Sequence, residues 1–312
     1  MTRVAVVDLG TNSTRLLVAD VENGAVHELD RRLEITRLGE GVDARRQLLP
    51  QAIARVRNVL ADYRRRAEEL GAERTLAFAT SAVRDAENGE AFLGEIEWSY
   101  GFETRLLSGH EEALVTFRGV VTGREVEEGT LVIDVGGGST ELSLGGPGGV
   151  SFHESYDLGC VRLTERFPGD PSGAGEHVRE VLAAAVPADV HPLRAIGVAG
   201  TITQLATLDL GLEREEPDLV HGHRLTTETV EHLLERLAAM PVDAIRRERG
   251  MNPDRAPVIV AGAVVVLETL RHFRLDELEV SEHDNMHGAA LVAAGLSGPV
   301  EGDAPPGAFT CC

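Results

Sequence analysis

Asp8-Leu9-Gly10-Thr11-Asn12-Ser13-Thr14 and Asp134-Val135-Gly136-Gly137-Gly138-Ser139-Thr140 match at Asp, Gly, Ser and Thr, with a constant separation of 126 residues. Each string follows an apolar, β-branched run (Val4–Val7 and Leu131–Ile133) of the kind that forms a buried strand. A second echo, Phe78–Ala82 against Val198–Ile202, keeps the same order at a separation of 120. Short Gly/Ser/Thr strings do coincide by chance, but two echoes in one order and at similar spacing argue for duplication. A repeat of this length constrains the fold before any other feature does. It predicts two related halves, each presenting a strand–turn–strand loop, facing one another across a cleft. Glycine lets backbone N–H groups approach an anion closely. Gly10, Thr11, Asn12 and Ser13 are therefore one candidate phosphate cradle, and Gly136, Gly137, Gly138 and Ser139 the other. Asp134 at the strand end, and Glu141 seven residues on, are oxygen ligands of the kind Mg²⁺ prefers.

A chain of 312 residues with 43% hydrophobic and 26% charged content suits two soluble domains, each with its own core. Acidic residues number 51 against 30 basic ones, giving a formal charge of −21, which argues against general nucleic-acid binding. A polyanionic substrate would need local help from arginines or bound cations. All the basic residues are arginine, so mechanisms built on a P-loop lysine or a Schiff-base lysine are excluded. No apolar run approaches the ~20 residues of a membrane span, and no signal segment is read at the N-terminus. Cys160, Cys311 and Cys312 form neither a disulfide framework nor a zinc pattern, so a cytoplasmic location is expected.

Strands are predicted over 13–21 and 26–38, then an amphipathic helix from Leu49 to Leu70 whose arginine-rich outer face reads as solvated. A strand over 74–80 leads into a helix opening at Ser81. Arg84 sits one turn in, placed either to meet an anion or to pair with Asp85 or Glu87. A strand over 102–106 precedes a helix from Ser108 to about Val121. The polar, glycine-flanked stretch 122–129 is the domain junction, dividing the chain into 1–124 and 125–296. The second half repeats the plan, with strands over 130–134, 139–145, 150–158 and 194–198 and helices from about 176 and near 201–208, 226–239 and 255–272. A strand over 278–281 and a helix over 285–294 close it, and 297–312, rich in Gly and Pro, reads as a disordered tail. His283 and His287 lie four apart, but Asp284 stands where a zinc-protease motif needs glutamate, so they read as helix-cap or surface residues. His221-Gly222-His223 carries no assignment.

Two similar α/β halves with phosphate loops at the seam describe the actin/hexokinase/Hsp70 (ribonuclease H-like) fold class. The chain further resembles the exopolyphosphatase/guanosine pentaphosphate phosphohydrolase family, from about Val4 to Gly295. The resemblance rests on Asp8–Ser13, Thr36–Gly41, Ala79–Ala86, Ser108-Gly109-His110-Glu111-Glu112-Ala113, Asp134–Glu141, Leu158–Glu165 and Ala199-Gly200-Thr201. It departs at Ser281–Gly288, where a family arginine is replaced by Met286, and it does not imply a preference for very long polymers. The resemblance implies hydrolysis of a terminal phosphoanhydride, in inorganic polyphosphate or in the 5′-triphosphate of pppGpp, a nucleotide of the stringent response. A non-catalytic sensor of either ligand is a third reading, disfavoured by the retention of Asp134, Glu141 and Glu112. The resemblance also implies phosphate contacts from Gly200 and Thr201, and Mg²⁺ (or Mn²⁺) on Asp134 and Glu141 with Asp8 as a third candidate. For the two aspartates, turn capping is the plainer alternative. A homodimer is implied as well. Glu111 and Glu112 are the catalytic candidates. Ser108 and Glu111 fit a capping box, and the family's base falls on Glu112.

Overall fold

The computed structural model describes residues 1–124 and 126–295; the tail proposed for 297–312 lies outside the described residues. The first half runs β1 (Thr2–Leu9), β2 (Thr14–Glu22), β3 (Ala25–Glu34), α1 (Pro50–Glu69), β4 (Arg74–Ala79), α2 (Gly89–Tyr100), β5 (Glu103–Leu106) and α3 (Gly109–Val121). The second continues with β6 (Thr130–Val135), β7 (Thr140–Gly146), β8 (Gly149–Tyr156), α4 (Cys160–Arg166), α5 (Pro171–Ala185), β9 (Arg194–Val198) and α6 (Ala199–Asp209). It ends with β10 (Arg224–Thr226), α7 (Thr227–Ala238), α8 (Ile259–Phe273), β11 (Glu277–Val280) and α9 (Asn285–Gly295). Single helical turns at Val42–Arg45, Ser81–Arg84, Pro217–Val220 and Val242–Ile245 lie between them.

The sheets are ordered β3-β2-β1-β4-β5 and β10-β11-β9-β6-β7-β8. Read from β8, the second sheet repeats the first strand for strand, with β9 and β11 in the places of β4 and β5 and β10 added at the edge. In each, an antiparallel meander meets a parallel crossover strand at its first member, β1 or β6. These central strands are covered on both faces, which is why they read as unbroken apolar runs. Edge strand β3 is rich in charged residues and has no buried position, which blunts edge-to-edge pairing.

Several boundaries differ from the sequence reading. The helix opening at Ser81 stops after one turn, because Gly89, which starts α2, packs so tightly on it that a methyl group there would lie 2.1 Å from the Val83 carbonyl. The helix expected from about 176 begins at Pro171, capped by Asp170, whose carboxylate accepts from the Gly173 N–H at 2.9 Å. That Asp-Pro start is a recognised cap, but apolar periodicity begins only later. Helix α4 was not anticipated.

The larger difference concerns the back faces. The division at 124/125 separates the sheets but not the helices. Helix α3, from the first half, lays Phe117 and Val120 on the second sheet's Val132, Ile196 and Val198. Helix α9, from the second half, lays Met286, Ala289, Ala290 and Ala293 on the first sheet's Val4, Val6, Leu17 and Phe78. The two exchanged helices touch each other at glycines: a Cβ on Gly119 would lie 1.8 Å from the Asp284 carbonyl, and one on Gly288 1.9 Å from that of Val115. Met286 is thus a core residue. His287, read as a cap or surface group, is buried, with Nε2 2.9 Å from Glu28. No helix among the described residues is long and apolar enough to cross a membrane.

Candidate active site

The two loops fold alike. Gly10 N–H donates to the Ser13 carbonyl at 3.0 Å, and Gly136 N–H to that of Ser139 at 3.0 Å. The segment after the third strand backs each loop. Arg37 and Gly39 N–H groups hold the Asn12 and Thr11 carbonyls, and Cys160, Val161 and Arg162 N–H groups hold those of Gly136 and Gly137. The loops meet face to face: a methyl on Gly137 would lie 2.9 Å from Thr11 Cβ, and one on Gly138 2.3 Å from Ser81 Oγ. One cleft is lined by Asp8, Gly10, Thr11, Asn12, Ser13, Thr80, Glu112, Asp134, Gly136, Gly137, Gly138, Ser139, Gly200 and Thr201. Asp8 reaches it from the first half and Asp134 from the second. Ala199, also in its lining, adopts φ 67°, unusual without glycine, where the chain turns from β9 into the N-terminus of α6.

Strand register explains how the halves diverge chemically. Asp8 pairs across β1–β2 with Arg15, and Asp134 across β6–β7 with Glu141. Arg15 therefore occupies the repeat position of Glu141. In the first half the strand-end aspartate is neutralised: Arg15 Nε donates to Asp8 Oδ2 at 2.9 Å. In the second half two carboxylates face one another. Glu141 accepts from Ser155 Oγ at 2.7 Å and Asp134 from Thr116 Oγ1 at 3.2 Å. Burial, then repulsion from Glu141, pushes Asp134 up to about 8. Burial, then Glu141, pushes Glu112 well above its usual range, with Arg84 opposing. Burial also raises Asp8 and Glu141.

Of the two adjacent glutamates, only Glu112 lines the cleft. Glu111 closes the capping box: its Oε2 accepts from Ser108 N–H at 2.9 Å, and its own N–H donates to Ser108 Oγ at 3.2 Å. The Ser108 N–H, together with the Ser108 hydroxyl that donates to the same Oε2 at 2.8 Å, holds its carboxyl below the ordinary range. Arg84 is not a lining residue; it donates to the Leu107 carbonyl at 2.8 Å and to Glu112 Oε2 at 3.3 Å. Its ion-pair partner is thus Glu112, not Asp85 or Glu87, because α3 packs beside the Ser81 turn.

Two cleft arginines escaped the sequence reading. Arg15 could have been found from the 126-residue repeat. Arg255, just before α8, carries no motif; it is buried, and among the described residues its guanidinium has no hydrogen-bonded or ion-paired partner. It lies so close to Gly200 that a methyl group there would come within 1.5 Å. Arg15 is further held by Asp284 and, at 2.7 Å, by Asn285 Oδ1. Burial alone would raise Asp284, but Arg15, His287 and Arg31 outweigh it and hold the group far below its usual range. A depressed carboxylate contributes stability above its unfolded pKa and loses it as pH falls. Asp284→Asn should cost about 3–5 kcal/mol at neutral pH, the usual penalty for breaking a buried pair. Urea unfolding across pH should show the wild-type advantage shrinking only below about pH 4.

The sequence matches the Ppx/GppA phosphatase family over residues 17–291. The chain belongs to that family. Exopolyphosphatase 2 of Mycobacterium tuberculosis is 40% identical, over 95% of this chain and 99% of that protein. The crystal structure of the Aquifex aeolicus Ppx/GppA family member superposes with a TM-score of 0.78 at 30% identity, covering 95% of this chain and 99% of that one. A more distant relative, a guanosine-5′-triphosphate,3′-diphosphate pyrophosphatase of Photobacterium profundum, is 25% identical over 89% of this chain and 56% of its own length. This Ppx/GppA protein is a phosphoanhydride hydrolase of the exopolyphosphatase-like kind, with the two-domain α/β fold of the actin/hexokinase/Hsp70 class.

Proposed function

We propose that the protein removes the terminal phosphate of inorganic polyphosphate in a Mg²⁺-dependent reaction, with Glu112 as general base. The observation that carries this is Glu112 itself, buried in the cleft between two facing glycine loops and beside two further carboxylates. Phosphoryl transfer rests chiefly on positioning and charge neutralisation. The N–H groups of Gly137, Gly138 and Ser139 have no acceptor among the described residues, and the α6 N-terminus and Arg255 add further anion-binding groups. Water attacks the terminal phosphorus as its proton passes to Glu112. The new P–O bond forms as the anhydride P–O bond breaks, leaving the charge on the shortened chain.

The donor set suits Mg²⁺. Asp134 and Glu141 supply only oxygen, and Asp8 Oδ1 is buried without a partner. Among the described residues no three Asp, Glu, His or Cys side chains converge to cage an ion. Mg²⁺ is commonly held by one or two carboxylates, with waters and substrate phosphates completing the shell. Asp134 and Glu141 would hold it and Asp8 would face it; when bound it supplies charge neutralisation of the phosphate oxygens. Neutralising Asp134 and Glu141 would also withdraw the repulsion that adds to burial in raising Glu112, which favours its ionised, proton-accepting form.

A second reading is hydrolysis of pppGpp to ppGpp. It is supported by a side chamber that shares Arg15, Leu33, Gly200 and Arg255 with the cleft and adds Arg31, Arg32, Glu215 and Glu282. Glu282 Oε1 is buried there without a partner. A nucleoside has N–H and O–H donors to offer such an atom, whereas ionised polyphosphate has none. Phosphate release with Mg²⁺ from short polyphosphate, long polyphosphate and pppGpp, side by side, decides between the two. The polyphosphate reading expects phosphate release from polyphosphate, and turnover of pppGpp alone would replace it.

A further inference from the structure

The second phosphate loop is held from behind by one side chain that also reaches the other half of the molecule. Arg162, buried at the start of α4, donates from Nε to the Gly138 carbonyl at 2.7 Å. Its other two nitrogens reach chiefly into the first half. One pairs with Asp43, on the turn after β3; the other pairs with Asp85 and lies 3.3 Å from Ser81 Oγ, beside the first half's own loop. Asp157, on the second half and largely exposed, is a more distant partner at 3.5 Å. Two neighbouring contacts cross the same seam: Gly41 N–H to Glu165 Oε1 at 2.9 Å and Arg37 to Asp254 at 3.0 Å.

The Gly138 contact has a directional effect. A trans peptide points its carbonyl and the following N–H in opposite directions. Cys160 N–H on the Gly136 carbonyl, Val161 N–H on that of Gly137 and Arg162 Nε on that of Gly138 therefore turn three successive N–H groups, those of Gly137, Gly138 and Ser139, away from α4. Gly137, Gly138 and Ser139 line the cleft. The first two contacts come from backbone that is pressed onto the loop whatever the halves do; a Cβ on Gly159 would lie 2.2 Å from the Gly137 carbonyl. The third depends on a side chain whose remaining nitrogens are anchored chiefly on the opposite half.

We propose that Arg162 is a positioning residue that sets the Ser139 N–H of the second phosphate loop and couples that setting to closure of the two halves, so that the cradle is complete only when Asp43 and Asp85 hold the guanidinium. This rests on the reading that the paired loops hold phosphate. Lysine keeps the charge but lacks the planar fork and the Nε donor.

The test compares wild type, Arg162→Lys and the double variant Asp43→Asn/Asp85→Asn, which keeps the Arg162 side chain but removes the carboxylates that anchor it. Two readouts are taken with Mg²⁺: affinity for inorganic phosphate, and KM against kcat on short polyphosphate. Arg162→Lys should weaken phosphate binding and raise KM by about 10- to 100-fold, the usual consequence of losing one charge-assisted hydrogen bond, with a smaller change in kcat. The double variant should raise KM in the same direction by a smaller factor. A merely structural ion pair would instead lower thermal stability and scale kcat with the folded fraction, leaving KM and phosphate affinity within about twofold; that result in folded Arg162→Lys overturns the inference. If Arg162→Lys does not fold, an unchanged KM in the double variant overturns it, and a raised KM there supports it. Wild type that binds no phosphate overturns both the inference and the reading beneath it.

Discussion

Glu112→Gln is expected to reduce turnover by about 10²–10⁴-fold, the range associated with loss of a general base, while substrate affinity is retained. Glutamine keeps the size and polarity of the side chain and can still accept from Arg84, so the cleft is not emptied; only the ability to take a proton is lost. Glu111→Gln is the control, because glutamine also serves in a capping box, and it should leave stability and turnover largely intact. If both glutamates merely favoured a helix N-terminus, the two changes would have small and similar effects. A larger catalytic loss from Glu111→Gln in folded protein would move the base to that residue. The comparison needs single-turnover phosphate release and a binding measurement for each variant.

Chelation should abolish turnover, and added Mg²⁺ should restore it. Asp134 and Glu141 face each other across β6–β7 where the first half pairs Asp8 with Arg15, so the second half of the cleft offers a polyanion two carboxyl groups where the first half has an arginine. Metal neutralisation of transition-state charge is worth several kcal/mol, and at about 1.4 kcal/mol per tenfold the loss is at least about 10²-fold. Asp134→Asn should reproduce most of it at ordinary Mg²⁺ and recover in part at high Mg²⁺, since one ligand remains on Glu141. Full turnover by the chelated enzyme would remove the ion from the mechanism.

What the sequence disclosed and what it withheld divide along physical lines. Loops made by adjacent residues were legible: the Gly10–Ser13 and Gly136–Ser139 turns, and the Ser108–Glu111 cap, depend on local spacing alone. The placement of Arg84 was not, because its partner Glu112 sits 28 residues on and is brought near by packing of α3. Arg255 lies next to Gly200 through tertiary folding and no local pattern marks it. His287 read as a cap or surface group for want of a zinc-protease glutamate, and Met286 as the replacement of a family arginine; both are buried because α9 packs on the first sheet. Only the three-dimensional exchange of helices shows that it roofs the other sheet.

That exchange also fixes an order of events during synthesis. The ribosome delivers the five strands of the first sheet early, yet one face of that sheet, with Val4, Val6, Leu17 and Phe78, is sealed by residues 286–293. At about 5–20 residues per second, the nascent first half waits roughly ten seconds or longer with an apolar face uncovered, whatever the state of its other face. Neither half is a free-standing unit of inheritance either. A gene fragment ending at the midpoint would encode a sheet without its cover and a helix, α3, without its sheet.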